Sequence, residues 1–171
     1  MNNDFLSTIS RLELMAFFSG YPLIYALTLV MAGNDLLKEK FGGRIIRLLP
    51  FAYALVGTLF LGFQLKKLFP DYSIEHIKLT IQQPYLVMWG LLAVLFWIPA
   101  LSKKIILSLI HSFVFFFFLA SDLFLQLTSS QANNNMVKND MEVYANSLLL
   151  NLGAFAILIA LFYLFTSLKK R

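Results

Sequence analysis

The sequence contains no cysteine and few charged residues, and both shortages narrow the classes of protein it can represent. Without cysteine the chain can form no disulfide, no thiolate zinc site and no iron–sulfur cluster, and it has no thiol nucleophile. Only 13% of its 171 residues are charged, against about 25% in ordinary soluble domains. A soluble enzyme, a disordered chain and a disulfide-stapled scaffold are therefore excluded.

Apolar residues are abundant: 59% of the chain is hydrophobic, and phenylalanine alone supplies 18 residues. A water-soluble fold of this size cannot bury so much apolar surface. A transmembrane helix needs about 20 mostly apolar residues. Five segments qualify, at 12–32, 45–65, 81–101, 105–127 and 147–168. The sequence thus predicts an all-α polytopic membrane protein, a five-transmembrane-helix bundle that forms one integral-membrane domain over residues 1–171.

The connections between the predicted helices differ in length and character. Residues 102–104 form so short a link that the third and fourth helices must be antiparallel neighbours. In the second connection, Ser73 can cap a short interfacial helix with Ile74, Ile77 and Ile81 along one side. Residues 128–141 are rich in Ser, Gln and Asn, which predicts a flexible, solvated loop. In the first helix, Pro22 is expected to produce a kink.

Basic residues predict the orientation of the bundle, because cytoplasmic loops carry an excess of Lys and Arg. Five helices place alternate connections on opposite sides. One side holds Arg11, Lys66, Lys67, Lys78 and Lys138; the other holds Lys38, Lys40, Arg44, Arg47, Lys103, Lys104, Lys169, Lys170 and Arg171. The second side is therefore predicted to be cytoplasmic, with the N-terminus outside. Residues 1–11 lack the basic start of a signal peptide, so we expect the first helix to be retained.

Few ionisable or strongly polar side chains fall within the predicted helices, and each needs a physical reason. The candidates are Glu13, His111, Asp122 and Asn151. On the fourth helix, His111 and Asp122 lie near one polar face, about 16 Å apart along the axis at 1.5 Å per residue. This face can be a proton or ion path, or it can be a structural polar network of interhelical hydrogen bonds. A bond from Asp122 to Asn151 or Asn146 is one structural pairing.

Small residues recur at helical spacing on three of the predicted helices, where they favour close backbone approach in the absence of a hydrophobic driving force. The predicted helix-packing residues are Ala16 and Gly20 on the first helix, Ala54, Thr58 and Gly62 on the second, and Gly153, Ala156 and Ala160 on the fifth. Pro50 begins the row on the second helix. The spacing leaves open whether each partner helix belongs to this chain or to another protein.

No pattern of catalytic residues accompanies these helices. The sequence has no GxSxG elbow, no P-loop and no HExxH motif, and it has only two histidines, His76 and His111. Since His76 lies in a polar connection, the two are poorly placed to ligate a haem between helices. We therefore expect no enzyme activity, no cofactor, no metal site and no nucleic-acid partner.

Two stretches carry a family resemblance: RLELMAFFSGYPLIYALTLVMAG at 11–33 and FAYALVGTLFLGFQLKKLFPDYS at 51–73. Over this first half the chain resembles small inner-membrane proteins of Bacteroidetes, of the kind encoded beside ExbB–ExbD proton-channel subunits. The resemblance implies an accessory subunit of a proton-driven motor, bound to other membrane proteins, and it transfers no functional residue. The alternative from the residues themselves is a small channel or carrier with a path along the fourth helix.

Overall fold

The computed structural model describes residues 2–32, 41–81, 83–128 and 134–169. Across these ranges all regular structure is helical and no strand is present. The helices are α1 (Asn2–Phe18), α2 (Tyr21–Ala32), α3 (Phe41–Ile46), α4 (Leu49–Leu68), α5 (Ile74–Thr80), α6 (Pro84–Leu91), α7 (Pro99–Ser102), α8 (Ile105–Thr128) and α9 (Asn134–Leu168). A 3₁₀ helix, Leu92–Trp97, joins α6 to α7. The prediction of an all-α bundle is confirmed.

Four stretches within the described residues are long and apolar enough to cross a membrane: Ser10–Met31, Gly43–Leu68, Ile105–Thr128 and Val137–Leu168. A fifth crossing depends on the segment formed by α6 and the 3₁₀ helix, which meets α5 at a bend of 96°. The spans around α4 and α8 agree with the predicted positions. The basic residues Lys38, Lys40, Lys170 and Arg171, used above for orientation, lie outside the described residues.

Contacts of the first span fix the directions of α4 and α8. Near its start, Glu13 pairs with Lys67 at the end of α4, and Arg11 pairs with Asp122 near the end of α8. Further along, Tyr21 packs against Tyr53 in the first half of α4, and its hydroxyl lies 2.8 Å from that of Ser108 near the start of α8. Both helices therefore run antiparallel to the first span. The chain between Leu68 and Ile105 must return from one end of the bundle to the other.

That return is made by α6 and the 3₁₀ helix, which lie along α4. A Cβ on Gly57 would come within 2.8 Å of the Ala93 side chain, and the indole Nε1 of Trp97 donates to the Thr58 hydroxyl at 2.9 Å. At about 1.5 Å per α-helical and 2.0 Å per 3₁₀ residue, Pro84–Trp97 extends about 24 Å. The segment begins at Pro84, which suits a first helical turn, but it is not one regular α-helix over 81–101, because it changes to a 3₁₀ helix at Leu92.

The fifth predicted helix begins earlier than expected. Residues 134–141 belong to α9 and not to a solvated loop, while residues 129–133 of that predicted loop lie outside the described residues. The physical reason is that the first turns of α9 pack against α8. Gln126 donates to Asp140 at 2.8 Å, and the rings of Phe116 and Tyr144 lie 6.1 Å apart. Because the stretch is rich in polar residues, its composition does not indicate that one side of the helix packs against α8.

The first predicted helix is interrupted at Ser19 and Gly20, between α1 and α2, close to the residue Pro22 at which a kink is predicted. Proline has no amide hydrogen, so the helical hydrogen bonds cannot continue through this turn. The Ser19 hydroxyl donates to the Met15 carbonyl at 2.6 Å, and α2 begins at Tyr21. The first helix, α1, also starts at Asn2, ten residues before the predicted start at residue 12.

The short helix between the second and third crossings is confirmed as α5. Ser73 is its N-cap and accepts a hydrogen bond from the backbone N–H of His76. Asp71 in turn accepts from the backbone N–H and the hydroxyl of Ser73, at 2.8 and 3.0 Å. These two bonds lower the pKa of the Asp71 carboxyl. The position of α5 at a membrane interface remains a prediction.

Aromatic side chains fill the centre of the bundle. The Phe18 ring stacks on Phe115 at 4.8 Å and meets Phe60 at 5.2 Å. The Tyr53 ring lies 4.5 Å from the Tyr21 ring. All five residues are buried, so α1, α2, α4 and α8 share one core.

Candidate functional site

His111 is held on α8 by three contacts from α4 and α6. Its Nε2 lies 2.8 Å from the carbonyl oxygen of Trp89, and its Nδ1 lies 2.6 Å from the Tyr53 hydroxyl. A carbonyl oxygen can only accept, so Nε2 carries the hydrogen and the bare Nδ1 of a neutral imidazole accepts from Tyr53. The Trp89 indole stacks on the imidazole at 4.7 Å, with 8° between the planes. Both ring nitrogens are thus satisfied.

The polar face of α8 is interrupted between His111 and Asp122. Phe115 lies there, 1% exposed and stacked on Phe18. Towards the other end, the hydroxyls of Ser108 and Tyr21 lie 2.8 Å apart. The face is therefore divided into separate hydrogen-bonded groups with aromatic rings between them.

Asp122 forms an ion pair with Arg11: the guanidinium Nη2 donates to Oδ1 at 2.8 Å. The Arg11 guanidinium also lies over the Phe118 ring, 5.1 Å from its centroid. The predicted hydrogen bond from Asp122 to Asn151 or Asn146 is therefore wrong. Asp122 pairs with the Arg11 guanidinium, and the Asn151 amide donates to other groups. The sequence pattern does not reveal this pairing, because Arg11 lies just outside the helix predicted over 12–32. The pairing could be found only by aligning the first span with an antiparallel α8, which places Arg11 and Asp122 at the same depth.

Glu13 also has a cationic partner, because the Lys67 Nζ donates to its Oε2 at 2.8 Å. Both side chains are about three-quarters buried. Glu13 and Asp122 are therefore brought to the same end of the bundle but are held by different cations. These contacts fasten α1 to α4 and to α8.

Asn151 and Ser147 on α9 form hydrogen bonds with the backbone where the first span is interrupted between α1 and α2. Its Nδ2 donates to the Phe17 carbonyl and to the Ser147 carbonyl, each at 2.8 Å. The Ser147 hydroxyl accepts from the Gly20 backbone N–H at 2.8 Å. Side chains of α9 thus satisfy the Phe17 carbonyl and the Gly20 N–H, two backbone groups at the interruption between α1 and α2, as an apolar bundle requires. Asn151 thus belongs to a buried polar network that does not include His111 or Asp122.

A polar pocket of about 480 Å³ lies at the Arg11 end of the bundle. Its charged lining residues are Arg11, Asp122 and Asp140, and Gln126 and Asn139 add polar groups. Asp140 is 5% exposed. The sequence pattern missed Asp140 because the surrounding Asn and Lys residues resembled a loop.

The predicted small-residue faces divide into filled and open positions. Ala54 is buried, Ala16 is half-buried, and a Cβ on Gly20 would lie 2.6 Å from the α9 backbone at Ser147 and Leu148. Thr58 is exposed but bonded to Trp97. In contrast, a Cβ on Gly62 or Gly153 would meet nothing within 4 Å in the described chain.

We call Gly153, Ala156 and Ala160 the α9 face; all three are exposed. No helix of the described chain covers Gly62 or the α9 face, so a partner helix for these positions is not found within the described residues. Contact with another protein at these positions stays a prediction.

Within the described residues, no three His, Asp or Glu side chains come together in a group that could hold a metal ion. No family model matches the chain, and no curated protein or solved structure matches it. What the bundle does must therefore be inferred from its own contacts.

Proposed function

We propose that this chain is a non-enzymatic integral membrane protein that serves as an accessory subunit of a membrane complex. The observation that carries the proposal is the α9 face, which exposes three small residues at spacings of three and four. Small residues allow close backbone approach, and this packing drives helix association in lipid. We infer that a transmembrane helix of another subunit covers this face.

The contrast with the filled small positions supports the proposal. At Gly20 and Gly57, where this chain's own helices approach, a Cβ would come within 3 Å of a neighbouring helix. At these two positions the bundle thus uses glycine to bring helix backbones close together. Gly153 offers the same backbone access without an occupant in the described chain.

The polar groups support a structural role over transport. His111 is saturated by Tyr53 and Trp89, and Asp122 is paired with Arg11. A proton path needs polar groups or water between its ionisable members, and the Phe115 ring occupies that interval. These contacts favour fastening of helices over a channel along α8.

We also propose a bacterial inner-membrane location with the Arg11 end outside. Exposed basic residues gather near the starts of α4 and α8, at the opposite end: Arg44, Arg47, Lys103 and Lys104. The positive-inside rule assigns such an end to the cytoplasm. Together with the resemblance of residues 11–33 and 51–73, this supports a proton-driven motor or transport system as the complex.

The test is purification of the tagged chain from its native membrane in mild detergent, followed by mass spectrometry of the bound proteins. The proposal predicts an integral membrane partner in stoichiometric amount. In parallel, the purified chain is reconstituted in liposomes under a pH gradient, with empty liposomes as control. Recovery of the chain alone or as a homo-oligomer, or proton flux above that of empty liposomes, would contradict the proposal.

A further inference from the structure

One side of α9 is exposed along most of the helix and carries residues that do not suit contact with lipid. Its residues alternate at spacings of four and three, and we call them the α9 seam: Glu142, Asn146, Leu149, Gly153, Ala156, Ala160, Tyr163 and Ser167. Every residue of the seam is exposed. An average spacing of 3.5 residues places them along one side of the helix. The seam includes the α9 face and extends it in both directions.

The seam points away from the rest of the bundle. At about 100° per residue, it is centred roughly 170° around the helix from the buried residues of α9, which are Asp140, Ser147, Asn151, Ala154 and Phe155. Those buried residues include the ones that contact α8 and the first span. The seam therefore faces either lipid or another protein.

A row of exposed residues on α8 provides a comparison. It has the same alternating spacing, and its residues are Ile106, Ile110, Phe113, Phe117, Ala120 and Phe124. All of these except Ala120 are large and apolar, which suits contact with hydrocarbon. In the α9 seam only Leu149 and Tyr163 are large hydrophobic residues, and the others are small or polar. The two rows therefore differ in composition and not in spacing.

Asn146 indicates which of the two surroundings the seam has, because it lies near the centre of the bilayer. The residue next to it, Ser147, accepts a hydrogen bond from the Gly20 N–H at 2.8 Å. Gly20 stands at the middle of the span Ser10–Met31, which has 22 residues. A span of that length crosses the hydrocarbon core with its midpoint near the bilayer centre. The exposed Asn146 side chain is therefore at a depth where lipid offers no hydrogen-bond partner.

The polar groups at this part of the seam are not satisfied by the chain itself. Asn146 and Glu142 form no side-chain hydrogen bond or ion pair with the residues that the structure describes. A carboxamide or a carboxylate that faces hydrocarbon is costly, and in membrane proteins such groups pair across helices. The Glu142 carboxylate only accepts hydrogen bonds, whereas the Asn146 carboxamide accepts and donates. A helix that covers these residues should therefore present N–H or O–H donors.

We infer that the α9 seam binds one transmembrane helix of the partner subunit, and that this helix carries a hydrogen-bond donor opposite Asn146. The inference rests on the proposed function. A repeat of 3.5 residues specifies a left-handed crossing of about +20°. Gly153, Ala156 and Ala160 let the partner backbone come close, and a side-chain N–H or O–H of the partner donates to the Asn146 carbonyl oxygen. A polar side chain in the middle of its transmembrane helix thus identifies the partner.

The first experiment places a photoactivatable amino acid at single positions of the full-length chain in its native membrane. Probes at Leu149 and Ala156, in the seam, should crosslink to one membrane subunit, and mass spectrometry should place both crosslinks on one transmembrane helix with a polar residue near its middle. Probes at Phe113 and Phe117, in the exposed row on α8, are matched controls and should crosslink to no protein. Equal crosslinking from both rows would overturn the inference.

The second experiment measures how strongly the partner is held by variants of Asn146. For Asn146→Leu, the dissociation constant of the partner in mild detergent should rise about threefold to twentyfold, which corresponds to one interhelical hydrogen bond. Asn146→Gln keeps the carboxamide and should bind nearly as the native chain does. Because Asn146 has no hydrogen bond within the described chain, neither variant should lower the stability of the isolated chain.

The outcomes separate this inference from the proposed function. An unchanged dissociation constant in Asn146→Leu would overturn the inference and leave the proposed function intact, because a partner would still be bound. Failure of the native chain to retain a stoichiometric partner would overturn both. Crosslinks from Leu149 and Ala156 to a second copy of this chain would also overturn both.

Discussion

Arg11 and Asp122 are separated by 111 positions in the sequence, and their side chains meet in an ion pair of 2.8 Å. The pair joins the first span to α8, and both side chains are partly exposed, at 33% and 25%. It stands at the same end of the bundle as the Glu13–Lys67 pair. Together the two pairs hold α4 and α8 against α1 and define the end that carries the polar pocket.

Breaking this pair should destabilise the bundle moderately. Asp122→Ala leaves the Arg11 charge unpaired, and we expect the free energy of unfolding to fall by about 1–2 kcal/mol, between the values for exposed and buried pairs. The measurement is reversible unfolding in mixed micelles of increasing SDS fraction. In a double-mutant cycle, Arg11→Ala should cost little more in the Asp122→Ala background. Strictly additive losses would contradict a direct interaction.

The hydrogen bond from Tyr53 to His111 should be measurable in the same assay. Tyr53→Phe retains the buried ring but leaves the imidazole Nδ1 without its donor. We expect a loss of about 0.6–1.7 kcal/mol, the range for interhelical hydrogen bonds in membrane proteins. Because Trp89 stacks on His111, its emission in a Trp97→Phe background should shift as well. Unchanged stability and emission would contradict the hydrogen-bonded arrangement.

Two glycines provide a matched test of the packing between the first span and α9. Gly20→Ala places a methyl group 2.6 Å from the backbone of Ser147 and Leu148, so α9 must move. We expect a loss of about 1–3 kcal/mol, typical of overpacking. A Cβ at Gly62 would meet nothing within 4 Å, and the position is exposed, so the stability of Gly62→Leu should stay within about 0.5 kcal/mol of that of the native chain. Similar losses from both substitutions would contradict the assignment of filled and open positions.

The start of α5 should respond to acid. Hydrogen bonds from Ser73 lower the pKa of Asp71 in the folded chain, so the contribution of this carboxylate is present above its unfolded pKa, near 3.9. It is lost as the pH falls through the lower folded value. Hydrogen exchange across Ile74–Thr80 should therefore gain protection as the pH rises through this window, after correction for intrinsic exchange rates. In Asp71→Asn this gain should disappear; an identical profile in both chains would refute it.

Local patterns predicted much of this fold, but they did not predict the partners of its polar side chains. The long apolar runs gave the spans around α4 and α8, Ser73 indicated the start of α5, and Pro22 indicated the break before α2. These signals are local, because each depends on a few neighbouring residues. The pairing of Arg11 with Asp122 depends instead on how two distant helices are aligned, and no spacing within either helix encodes it.

The early start of α9 and the 3₁₀ helix escaped prediction for a related reason. The stretch 134–141 has a polar composition typical of a loop, but it packs against α8 through the hydrogen bond from Gln126 to Asp140. In the third crossing, the close approach of Ala93 to Gly57 is a tertiary constraint on a segment whose composition suits a regular α-helix. Tertiary packing therefore overrides the local pattern at both places.

The central claim is that the α9 face binds another membrane subunit, and the most direct measurement is partner recovery with Gly153→Leu. A Cβ at Gly153 would meet nothing within 4 Å in the described chain, and the position is exposed, so the stability of Gly153→Leu should stay within about 0.5 kcal/mol of the native value. Ala120→Leu, at an exposed position on α8, is the control. Quantitative pull-down should show at least about a tenfold loss of the partner for Gly153→Leu and none for Ala120→Leu. Equal recovery of the partner by both variants would contradict the account.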